Sequence, residues 1–243
     1  MLHGIRRRYP VRSKEFRVPE RLPLAIEPPV LEQVVIEITH HSADTVTVKY
    51  NTIPGNHPQD NNNKVMLWEG TVIDWKSTPL ATQLVKNNDT NGTFTMEDLK
   101  LSSKDYIVGY SVTGEVLGIC ASAPVKGSVP TDDLLLLAPP SVTLTFRSLD
   151  KTELVLDYAT LRGYKPRSAG NWMGLWRGDI DPFDPPSAPA VICFPEDDVN
   201  EGRATFQTAF REHSTYTAGY FMADKENQTA NKTAAALFRF DTE

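Results

Sequence analysis

Cysteine is scarce: Cys120 and Cys193 are the only two in 243 residues. Two thiols cannot complete a four-ligand zinc site or staple a disulfide scaffold. The first ten residues carry arginines but no apolar stretch behind them, which does not match a secretory signal. The expectation is therefore a cytoplasmic chain with reduced, buried thiols. Long apolar runs are missing too. The leucines of residues 134–137 fall far short of the roughly 18 residues that a membrane span needs. Positive charge is in deficit: 25 Lys and Arg against 31 Asp and Glu give −6 and a pI near 5.4, which argues against a nucleic-acid-binding body. Gly-x-Ser-x-Gly, a phosphate-cradling glycine loop and His-Glu-x-x-His are all absent, so neither enzymatic activity nor a cofactor is expected. Of the five histidines only His40 and His41 are adjacent, and neighbours on a strand point to opposite faces, so no metal site is expected of them.

What is present is a duplication. Shifted by 108 positions, residues 34–70 lie on residues 142–178 without a gap, and nine of the 37 positions are identical. They include Tyr50/Tyr158, Gly55/Gly163, Asn63/Asn171, Leu67/Leu175 and Trp68/Trp176. Chance would give roughly two identities at ordinary composition. The lead-in segments match as well, with Leu24/Leu135, Ile26/Leu137 and Pro28-Pro29/Pro139-Pro140. Units of about 110 residues are large enough to bury their own cores, so they read as tandem domains rather than solenoid turns. The expected division is an arm over 1–29, a first sandwich over 30–125, a linker over 126–140 and a second sandwich over 141–243.

The periodicity inside each unit is two. Val46, Val48 and Tyr50 alternate with Thr45, Thr47 and Lys49, and Leu154, Leu156 and Tyr158 repeat the pattern. Such alternation of β-branched and aromatic residues predicts half-buried strands. Further strands are expected over 64–69, 81–85, 92–96, 106–112 and 116–121, then over 172–177, 190–194, 204–208, 216–222 and 234–240. Seven short strands per unit predict an all-β protein of two antiparallel sandwiches. Single helical turns are expected only over 96–101 and 208–213.

Leu99-Lys-Leu101-Ser-Ser-Lys-Asp-Tyr106-Ile-Val-Gly-Tyr110 resembles the tyrosine corner of fibronectin type III and immunoglobulin-like domains. Phe210 through Tyr216 is a looser second copy, and residues 45–54 are similar to the fibronectin type III strand B. Tyr50 and Tyr158 stand where that strand carries tryptophan. The resemblance implies that Tyr106 and Tyr216 bond backbone a few residues upstream. It implies a binding or spacing role of no fixed identity.

Trp68 and Trp176 are expected in the core or at the domain junction. The carboxylates Asp179, Asp181 and Asp184 could be offered to calcium, but the first copy has no counterpart and a solvated turn is the expected reading. Glu196, Asp197 and Asp198 are placed beside Arg162, Lys165 and Arg167 of the loop after strand B.

The N-terminal 21 residues hold Arg6, Arg7, Arg8, Arg12, Lys14, Arg17 and Arg21 against two glutamates, so +5 sits on a remainder of −6 − 5 = −11. Alternating apolar residues, Tyr9 with Val11 and Phe16 with Val18, give this arm the capacity to form a strand. The expected function is a non-enzymatic protein-binding or self-assembling module. Its partner-binding residues are Arg6, Arg7, Arg8, Arg12, Arg17, Leu24 and Ile26, reaching the second sandwich of a neighbouring copy. The alternative is an adhesin-like glycan or surface-ligand binder using Trp75, Trp172 or loop aromatics.

Overall fold

The computed structural model describes residues 26, 29–125, 141–223, 226 and 230–243. It is all β, as the period of two predicts. In chain order the strands are β1 (Val30–Gln33), β2 (Val35–His41), β3 (Val46–Asn51), β4 (Lys64–Glu69), β5 (Ala81–Leu84), β6 (Asn91–Met96), β7 (Tyr106–Ser111) and β8 (Ile119–Val125). The second half adds β9 (Thr143–Leu149), β10 (Glu153–Ala159), β11 (Trp172–Arg177), β12 (Val191–Cys193), β13 (Glu201–Gln207), β14 (Thr215–Phe221) and β15 (Ala234–Asp241). The first sandwich faces a β2-β3-β6 sheet against a β5-β4-β7-β8 sheet; the second faces β9-β10-β13 against β1-β15-β14-β11-β12. All pairings are antiparallel.

The repeated residues form the same core twice. Tyr50 meets Tyr110 at 5.9 Å between ring centroids, and Tyr158 meets Tyr220 at 5.6 Å. The Tyr110 hydroxyl donates to Asn63 Oδ1 at 3.0 Å, and Asn63 Nδ2 donates to the Val112 carbonyl at 3.2 Å. Tyr220, Asn171 and Met222 repeat both bonds at 2.9 Å. Each asparagine is thus fixed by polar partners that burial would otherwise leave unsatisfied, which is why it recurs in both copies.

Two expectations about local structure fail. The turns over 96–101 and 208–213 are not helical. Asp98 and His213 take left-handed φ values of 58° and 52°, which a helix cannot continue through. The amides are also drawn elsewhere: Leu99 and Leu101 donate to the Asp44 and Ala43 carbonyls, and Thr208 and Phe210 to those of Thr152 and Lys151. Each crossover is therefore bonded to the first hairpin of its own sandwich. The strand expected from residue 116 begins at Ile119, because Val116–Gly118 closes as a 3-10 turn behind Gly114 at φ 77°.

One strand departs from the duplication. Val30–Gln33, which the sequence groups with the first unit, pairs in register with Arg239 through Ala236 of the second. The chain reaches β2 through Val34 alone, whose amide donates to the Ala235 carbonyl at 3.1 Å. The reciprocal contact is shorter: Ser141 bridges Ala121, and the Val142 amide donates to Cys120 at 2.7 Å. Each sandwich thus lends its leading segment to the last strand of the other.

Candidate functional site at the join of the two sandwiches

The unequal exchange has a residue-level cause. Four residues separate Pro29 from Val34, and one separates Pro140 from Val142, so proline stands where the second copy would need ladder donors. The receiving edges differ too. Aligning the β7–β8 and β14–β15 registers puts Pro124 of β8 where β15 has Arg239. Val34 donates to β15, so by strand alternation Val30 and Glu32 also turn their peptide groups to β15, and Arg239 turns its own to Val30. Proline has no N–H to present there. The β15 edge can be extended, and β8 cannot at this position.

Side chains reinforce the added strand. Arg239 Nη1 lies 3.1 Å from Glu32 Oε2, and Arg239 Nε lies 3.1 Å from Asp179 Oδ1. Neither of those atoms, Glu32 Oε2 or Arg239 Nε, has an aligned hydrogen bond, so the attraction is coulombic. Arg239 and Glu32 are about four-fifths buried, whereas Asp179 is 72% exposed. One guanidinium serves two carboxylates, leaving this face at −1.

The rest of the join is built from loops in matching positions. Trp75 Nε1 donates to the Arg162 carbonyl at 2.9 Å, its ring lies 4.9 Å from that of Tyr164, and the Tyr164 hydroxyl donates to the Leu117 carbonyl at 2.6 Å. Burial pushes the Tyr164 hydroxyl well above its ordinary pKa. Leu161 of the second sandwich packs with Met66, Trp68, Ile73, Ile107 and Ile119 of the first. Gly55, at φ 87°, faces the Asp181 carboxylate so closely that a Cβ there would lie 2.7 Å from Oδ1. The left-handed backbone favours glycine, while the exposed Asp181 carboxylate could swing aside for a side chain.

The tyrosines expected at the corners have the implied geometry. The Ser102 amide donates to the Tyr106 hydroxyl at 3.0 Å, and the Arg211 amide to the Tyr216 hydroxyl at 2.9 Å. Trp68 and Trp176 are each 2% exposed and donate to the carbonyls of Ser77 and Ser187. Trp172 is buried and stacked on Phe221 at 4.1 Å, and Trp75 is held in the join, so neither presents an exposed aromatic platform. Of the arm residues, Arg6, Arg7, Arg8, Arg12, Arg17 and Leu24 lie outside the described residues. Ile26 bridges Thr242 in the same chain.

The acidic turn does not converge. Asp179 turns to Arg239, and Asp181 accepts the Phe183 amide at 2.8 Å. Among the described residues no group of three or more His, Cys, Asp or Glu could hold a metal ion. Asp198 accepts the Ser168 amide at 2.7 Å and the Ser168 hydroxyl, which together hold its carboxyl below the usual range, with Lys165 and Arg167 adding to the effect. Cys120 and Cys193 are free; Cys120 is buried as expected, Cys193 only partly so because it lies on the short edge strand β12, and burial raises both thiols, Cys193 to about 11. A groove of about 560 Å³ on the second sandwich is lined by Arg167, Asn171, Phe194 and Glu196, with Phe194 57% exposed.

The exchanged strand was not anticipated from sequence. Its signal was the spacing difference after the paired prolines, together with Arg239 against Pro124. No helix among the described residues is long and apolar enough to cross a membrane.

No family model matches the chain, and no curated protein matches it. Solved structures that resemble it include the crystal structure of a DUF3823 family protein from Bacteroides uniformis, 9% identical over 85% of this chain and 96% of that one, with a TM-score of 0.26. That likeness is too remote to bear on function.

Proposed function

We propose that this chain is a non-enzymatic protein-binding or self-assembling structural module built from two fibronectin type III-like sandwiches. Strand order supports the family reading: three strands face four in the first unit, three face four plus the added β1 in the second, and both tyrosine corners are made. The observation that carries the functional reading is β1 on β15. Sequence ahead of the first sandwich docks by strand addition onto the second, a recognition mode that works equally between chains. The pairing here lies within one chain, so β1 occupies the surface that a neighbour's Leu24 and Ile26 segment was expected to fill. The basic arm then carries the intermolecular contact, drawn to a body of charge −11.

The test is light scattering of the full chain, and of a chain lacking residues 1–25, from micromolar to millimolar concentration at low and high salt. A larger species that needs the arm and weakens with salt supports the reading. A monomer under every condition, with no protein captured by the arm, overturns it. The glycan alternative has one observation in its favour, the exposed Phe194 face beside Arg167 and Glu196. Glycan binding abolished by Phe194→Ala would establish it.

A further inference from the structure

The far side of β1 is an open edge. Val30, Glu32 and Val34 spend their peptide groups on β15, so Leu31 and Gln33 turn theirs outward. The side chains of Val30 and Leu31 are each 55% exposed, one on either face of the sheet. Exposed apolar edges of this kind are strand-pairing sites unless they are covered, charged or interrupted. Pro28 and Pro29 bound it on one side, so it accepts only a short strand.

We propose that this edge receives residues 12–18 of the arm of a second copy, a step that rests on the self-assembling reading. Three features select that occupant. Arg12 through Val18 is a proline-free stretch between Pro10 and Pro19, long enough to cover β1. Its alternation puts Phe16 and Val18 on one face, behind Arg12 and Lys14, and Arg17 on the other, behind Glu15 and Ser13. The β1 edge has the complementary arrangement: Leu31 on one face, and on the other Glu32 with the exposed Asp179, where two carboxylates share Arg239. Arg17 supplies the missing positive charge while Phe16 and Val18 cover Leu31. The occupant is taken from a neighbouring copy, as the self-assembling reading requires; pairing by the chain's own arm, with residues 19–25 between Val18 and the bridged Ile26, is the outcome that the exchange measurement below separates. The contact is heterologous and leads to a ring or an open filament.

A fluorescent peptide of residues 8–25 is titrated into the full chain, alongside light scattering of the chain alone. Leu31→Pro removes an outward donor without removing a bond to β15, and Leu31→Lys charges the edge should the proline unfold β1. Either variant, and a peptide carrying Arg17→Glu, is expected to weaken binding at least tenfold and to abolish the larger species. Assembly that needs residues 1–25 but is indifferent to all three changes overturns this site and leaves the self-assembling reading intact. A chain that stays monomeric while its Leu31 amide is protected from hydrogen exchange by its own arm also overturns it. Absence of both assembly and peptide binding overturns the site and the reading together.

Discussion

Glu32 and Arg239 meet diagonally across the β1–β15 ladder at 3.1 Å, each about four-fifths buried, and tie the start of one sandwich to the end of the other. Val30 and Arg239 are the register partners beneath them. The pair sits where the duplication is broken, since the first sandwich has Pro124 in the corresponding place. Sequence divergence at this edge position, with the spacing after the paired prolines, thus favours a full added strand on the second sandwich and only a short contact at Ser141 and Val142 on the first.

Removing Arg239 strands two carboxylates. Arg239→Ala should lower stability by about 1–3 kcal/mol, less than the loss from breaking a fully buried pair because Asp179 is open to water. Glu32→Gln should cost about 1 kcal/mol or less, since Asp179 remains as partner. Urea midpoints at constant slope would check both, and an unchanged midpoint for Arg239→Ala would show that β1 is held by backbone alone.

The two tyrosine corners give a matched pair. Tyr106 and Tyr216 are each 4% exposed, and each hydroxyl accepts a backbone amide. Replacement by Phe leaves that amide without its partner, so each substitution should destabilise by about 1–2 kcal/mol. Equal losses are expected although the second motif is the looser one in sequence, because the bond lengths are nearly the same. Chemical denaturation of both variants decides this.

The sandwich class was legible because burial follows a local rule. Val46, Val48 and Tyr50 alternate along seven residues or fewer, and the same alternation recurs 108 positions later. The crossovers misled for a related reason. Residues 96–101 carry no local signal that the Asp44 and Ala43 carbonyls will take their amides. The exchange of β1 lay further out of reach. It depends on how Val30–Gln33 competes for two edges some 90 and 200 residues away, a choice set by the lead-in spacing and by the donor that Arg239 has and Pro124 lacks. The join was partly legible: the repeat points to Trp68 and Trp176 as core or junction residues, and Trp68 belongs to the apolar cluster that Leu161 joins. The Trp75–Arg162 bond had no counterpart in the repeat to reveal it.

Alkaline pH should unfold the protein well before mild acid does. Burial raises Tyr110 and Tyr220 well above 10.0, and raises Cys193 from 9.0 to about 11. Above pH 9 the unfolded chain loses protons that the folded chain retains, so the unfolded state binds fewer protons and stability falls as pH rises. The contribution of Cys193 is complete below pH 9 and is lost as pH passes about 11. The buried tyrosines follow from pH 10 upward. Asp198 has the opposite sign: its contribution is present above pH 3.8 and is lost below it. A pH series of melting temperatures should therefore turn down above pH 9. Iodoacetamide at pH 8 should leave both thiols unmodified until the protein is unfolded.

The last prediction concerns cooperativity. One continuous core runs from Val34 and Tyr50 of the first sandwich to Phe238 and Phe240 of the second, and the shared strand and the Trp75 contacts close the join around it. Neither sandwich can open without exposing surface on the other, so calorimetry of the full chain should show a single transition with calorimetric and van't Hoff enthalpies that agree. Trp75 is half-buried, bonded to the Arg162 carbonyl and packed on Tyr164. Trp75→Ala should cost about 1–3 kcal/mol, below the value for a fully buried tryptophan, and should split or broaden the transition by loosening one side of the join. Val72→Ala, at an exposed position in the same loop, should do neither. Two separate transitions already present in the unaltered protein would mean that β1 is a strap between independent domains, not part of a common core.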